Sequence, residues 1–103
     1  MMMWMNEQLN SQIYDLTKLA LRTEDPQEVN KVMWKFEDIV QEEKYPLPVL
    51  KAFLLWESGR ISTDRLILFY EDCYKWLASD DAARDELMRW VFHLLWRVTQ
   101  RPR

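Results

Sequence analysis

Two side chains in this 103-residue sequence stand out as candidates for nucleophilic or acid–base chemistry: Cys73, the single cysteine, and His93, the single histidine. A thiol beside an imidazole can form a thiolate nucleophile, provided a third group orients the base. Their settings argue against that pairing. Cys73 falls on a stripe made by Leu66, Phe69, Tyr70, Cys73, Trp76 and Leu77, where a thiol behaves as a small buried hydrophobe. His93 stands between Phe92 and Leu94 in a segment that is apolar on two sides. Two such residues are also too few for a zinc site, which takes several Cys or His ligands. No Glu-x-x-His pair of the kind that holds two irons occurs. The adjacent acids Glu42–Glu43 and Asp80–Asp81 diverge around a helix and suit surface or cap positions. One glycine, Gly59, cannot supply a phosphate-cradling loop. The expectation is a non-enzymatic protein with no metal and no cofactor.

The basic residues pose the next question. Net charge is −3 and unevenly spread: residues 1–48 hold net −4, and the five arginines of residues 82–103 bring that stretch to +3. A nucleic-acid-associated regulator would use Arg89, Arg97, Arg101 and Arg103, together with the turn around Gly59 as a helix-turn-helix. The segment after that turn should then be the recognition helix. It carries Asp64, Glu71 and Asp72 against Arg65 and Lys75, the wrong balance for a groove lined with phosphates. Arginines near a helix C-terminus also complement the helix dipole without any ligand. Nucleic-acid binding is therefore kept as the alternative.

Those side chains must be positioned by helices. Apolar residues at 49% and charged residues at 30% describe a folded domain, and the length fits one domain over residues 1–103. No alternating run of β-branched residues is bounded by hairpin turns. Helical spacing predicts five segments: 6–21, with Asn6 as cap; 26–44, opened by Asp25-Pro26; 48–58, short and apolar enough to be central; 63–78; and 79–100. Gly59 suits the left-handed residue that ends the third helix, Ile61 can pack back on it, and Ser62 can cap the fourth. Between the fourth and fifth segments no glycine or proline intervenes, so one long kinked helix competes with two. The fold class expected is all-α, a small antiparallel bundle of four to five helices.

The last two segments carry a surplus of apolar residues. In the fifth, Leu87, Val91, Leu94, Leu95 and Val98 make one stripe, and Met88, Phe92 and Trp96 make a second, with Trp90 near it. In the fourth, the five consecutive apolar residues Leu66 to Tyr70 cover more than one side. A peripheral helix buries one stripe, so a second either wraps a central helix or faces a partner. The second option gives the expected function: a small protein–protein interaction module, whether regulator, adaptor, inhibitor or assembly factor. Its partner surface is expected at Met88, Trp90, Phe92, Trp96, Leu66 and Phe69, and the simplest partner is a second copy, as a homodimer. Met1 to Met5 are apolar but have no basic residue before them, unlike a signal peptide, and no apolar run approaches a membrane span. With one cysteine and no sign of an oxidising compartment, the expected location is cytoplasmic.

Overall fold

The computed structural model describes residues 7–43 and 45–100. Within them lie five helices: α1 (Glu7–Arg22), α2 (Pro26–Gln41), α3 (Leu47–Glu57), α4 (Thr63–Trp76) and α5 (Asp81–Gln100). There is no strand among the described residues, and the protein is a small all-α bundle. Asn6, Lys44, the Met1–Met5 segment, Arg101 and Arg103 lie outside the described residues.

Each boundary follows from local chemistry. Asp25 is extended and its carboxylate accepts a hydrogen bond from the Gln27 N–H (3.0 Å), while Pro26 occupies the first turn, where no N–H is missed. Helix α2 ends at Gln41, short of the expected residue 44, because Glu43 adopts φ +67° and turns the chain out of the helix. Helix α3 starts at Leu47, between the two prolines of Pro46-Leu47-Pro48; Pro48 falls in the first turn, where it is tolerated. At its other end the Gly59 N–H donates to the Trp56 carbonyl (3.0 Å) and the Arg60 N–H to the Leu55 carbonyl (2.8 Å). That paired closure needs a left-handed residue, and Gly59 sits at φ +79°. Ile61 is buried behind it, and the Ser62 hydroxyl accepts from the Arg65 N–H (3.1 Å) to open α4.

Helices α4 and α5 are separate. Helix α4 stops at Trp76, with Leu77 as its cap, and the Asp80 carboxylate accepts from the Ala83 N–H (3.0 Å) to start α5. A polar cap residue does here what no glycine or proline was present to do.

Helix α3 packs against each of the other four, so the short apolar segment is the hub of the bundle. The core around it holds Ile13, Met33, Phe36, Val49, Leu55, Trp56, Leu66, Phe69, Leu87 and Leu94, drawn from all five helices. The Trp56 indole N–H donates to the Thr63 hydroxyl (2.9 Å), which lets a large buried ring keep its polar edge satisfied. Arg60 donates to the carbonyls of Thr23 (2.8 Å) and Leu21 (2.5 Å), closing the C-terminal end of α1 against the α3–α4 turn.

Candidate protein interaction surface

The surface is built where α4 and α5 meet. On α4 the core takes Leu66, Phe69, Tyr70 and Cys73, spaced to one side of the helix. Both Leu66 and Phe69 are fully buried, which corrects their placement on a partner face. The residues left over from the same apolar run are Ile67 and Leu68, both exposed. Ile67 and Tyr74, seven residues apart, share the side of α4 that looks toward α5.

Helix α5 buries only Leu87 and Leu94. The first apolar stripe is thus half used: Val91 is partly buried, and Leu95 and Val98 are exposed. Of the second stripe, Met88 is partly buried, and Phe92 (65%) and Trp96 (59%) point into solvent. Trp90 goes elsewhere. It is partly buried against α3, its ring 5.3 Å from that of Phe53 and 5.3 Å from that of His93. Of the residues expected on a partner face, Met88, Phe92 and Trp96 thus share the outward side of α5, beside side chains the sequence left unassigned.

Between the helices runs an apolar groove of about 520 Å³, lined by Ile67, Tyr74, Met88, Val91, Leu94 and Leu95, with Glu71 and Lys75 on its rim. Met88 belongs both to the groove and to the outward stripe. At the N-terminal end of α5 the Arg84 guanidinium lies over the Tyr74 ring at 4.0 Å, a cation–π contact that fixes both side chains at that end. Ile67 and Tyr74 were missed from sequence. The signal for them exists: once the 66–70–73–77 spacing is assigned to the core, they are the large residues remaining beside it.

Two of the four arginines of the alternative reading are engaged within the chain, and the other two, Arg101 and Arg103, lie outside the described residues. Arg97 pairs with Glu57 of α3 (2.6 Å), and Arg89 pairs with Glu86 one turn earlier (3.0 Å). Helix α5 thus does not present these two as a row of unpaired cations.

The two catalytic candidates differ in burial. Cys73 is fully buried, and burial, then the nearby carboxylates of Glu37 and Asp72, pushes its thiol well above the ordinary thiol range. His93 is exposed on α5. Beside Cys73 sit the buried tyrosines Tyr45 and Tyr70, whose hydroxyls have no hydrogen-bond partner among the described residues. Burial also raises both phenols; Glu86 adds to the effect at Tyr45 and Cys73 at Tyr70. All three groups are held in their neutral forms. Among the described residues no group of three or more His, Cys, Asp or Glu could hold a metal ion. No described helix is long and apolar enough to cross a membrane.

No family model, curated protein or solved structure matches this chain.

Proposed function

We propose that this chain is a small, non-enzymatic, cytoplasmic protein–protein interaction module. It acts as a regulator, adaptor, inhibitor or assembly factor through the apolar face shared by α4 and α5. One observation carries the reading: Phe92 and Trp96, one turn apart on the longest helix, are more than half exposed beside an apolar groove that reaches Met88. Large aromatics cover much area at low entropic loss, and they are enriched at the centres of protein interfaces. A contiguous patch of this kind on a soluble chain marks a contact surface or an aggregation hazard. Scattered single residues do not, and Trp34 on α2 is such a case: its helical neighbours Asn30, Lys31, Glu37 and Asp38 are all polar.

Light scattering on a size-exclusion column, paired with thermal melts, tests the reading. Phe92→Ser and Trp96→Ser are expected to reduce the association of the protein with itself or with an added partner while leaving its melting temperature within a few degrees. If both substitutions lower the melting temperature strongly and leave association untouched, the face is structural and the proposal fails.

A further inference from the structure

We infer that the turn between α4 and α5, residues 77–80, is a hinge through which two copies of the chain exchange their α5 helices. In the exchanged form α4 and α5 join into one straight helix over residues 63–100, and each α5 packs on the second copy. This holds independently of what meets the outer side of α5. Leu66, Tyr70, Cys73 and Leu77 recur at four-and-three spacing, and the same spacing runs on through Asp80 and Arg84 to Leu87, Val91 and Leu94. In the bundle Leu66, Tyr70, Cys73, Leu77, Leu87 and Leu94 are all buried. On one unbroken helix that spacing puts both halves of the seam on the same side. A straightened chain thus keeps α4 facing its own core and delivers the buried side of α5 to the core of a two-fold-related copy.

The hinge residues suit a helix. Leu77, Ala78, Ser79 and Asp80 include neither glycine nor proline, and Leu77 at φ −95°, ψ 18° stands next to the helical region. The closed turn is held by the Ala78 N–H on the Lys75 carbonyl (3.3 Å), the Asp80 N–H on the Leu77 carbonyl (3.0 Å) and the Ala83 N–H on the Asp80 carboxylate (3.0 Å). A continuous helix replaces them with backbone bonds reaching four residues back, and sets Asp80 one turn before Arg84, with opposite charge. Helix α5 is also the element most readily released. It is the last described helix, and it buries two side chains, Leu87 and Leu94, fewer than any other described helix. Exchanged, it regains on the second copy every contact it left, so the two forms differ at the hinge and in the entropy of association. Each groove then takes Ile67 and Tyr74 from one copy and Met88, Val91 and Leu95 from the other.

A double variant, Ile67→Cys with Leu95→Cys, tests the exchange. Both positions are exposed and line the groove from opposite helices, and Cys73 is buried and can remain. The protein is refolded from guanidinium at low and at high concentration, separated by size, diluted, and treated with a short bis-maleimide before a denaturing gel. The expected result is a dimer fraction from concentrated refolding in which the linker joins two chains, and a monomer fraction in which it joins positions within one. Asp80→Ala removes a bond that only the closed turn makes, and is expected to favour the open form about fivefold at each hinge, hence about 25-fold in the dimer association constant. Ser79→Pro breaks a straight helix and is expected to abolish the dimer. Phe92→Ser and Trp96→Ser are expected to leave the exchanged dimer intact, so its failure and that of the interaction reading are told apart. A dimer in which the linker stays within each chain overturns the inference, and so does an exchanged dimer that survives Ser79→Pro. A chain that stays monomeric at both concentrations, with and without Asp80→Ala, overturns it too.

Discussion

Helices α2 and α5 dispose of their apolar residues in opposite ways. The 16 residues of α2 bury six side chains, Val29, Val32, Met33, Phe36, Ile39 and Val40, and its one exposed large ring, Trp34, stands alone among polar neighbours. The 20 residues of α5 bury two, Leu87 and Leu94, and leave Phe92, Leu95, Trp96 and Val98 in water. The reason is position in the bundle. Helix α2 is covered by α1, α3 and α4, whereas α5 lies mainly against α3 and α4. A chain of this size closes its core without the outer side of α5, so those side chains add little to folding and remain available for contact.

Stability measurements can break that comparison. Phe36→Ala empties a fully buried site on α2 and is expected to lower unfolding free energy by about 3–5 kcal/mol. Phe92→Ala on α5, measured in dilute monomer, is expected to change it by about 0.5 kcal/mol or less. Equal losses in urea titrations would mean that the two helices do not differ as described.

Alkaline pH sharpens it from the packed side. Cys73 keeps its proton in the folded state well above the ordinary thiol pKa of about 8.5, so the unfolded chain gives up its proton first. Folding stability from this group is complete below pH ~8.5 and falls as pH rises, by about 1.4 kcal/mol per unit. Tyr45 and Tyr70 add the same trend above pH ~10. Melting temperature measured from pH 7 to 10 should decline, and native Cys73 should resist alkylation across the range; rapid labelling at pH 8 would contradict the burial.

Two smaller effects lie at the turn between α3 and α4. Gly59→Ala forces a side chain into left-handed backbone, with open space around it, and should lower stability by about 1–2 kcal/mol from conformation alone. Ser62→Ala removes the hydroxyl that accepts from Arg65 and should lower it by about 1 kcal/mol. Chemical denaturation resolves both, and neither should alter association.

Much of this fold was legible in the sequence because its stops and starts are chemical. Asp25-Pro26, Gly59 and Ser62 each perform the role their types dictate, and the apolar segment 47–57 is the hub. The separation of α4 from α5 was left open because a cap made by Asp80 looks, in sequence, like one more charged position on a continuing helix. The site was half legible. Spacing identified Met88, Phe92 and Trp96, but an apolar run such as 66–70 does not say which of its members turns inward. The helices packed around α4 decide that: Leu66 and Phe69 turn into the core, and Ile67 is left exposed on the groove. Trp90 went to Phe53 for the same reason, since a ring at the edge between two faces follows whichever neighbour offers more contact.

Hydroxyl-radical footprinting across protein concentration tests the central claim most directly, because Trp34 and Trp96 are exposed to nearly the same degree in the single chain, 63% and 59%. As concentration rises, oxidation of Met88, Phe92 and Trp96 should fall while that of Trp34 stays constant. Constant reactivity at all four residues, or protection of Trp34 instead, would contradict a covered face on α5.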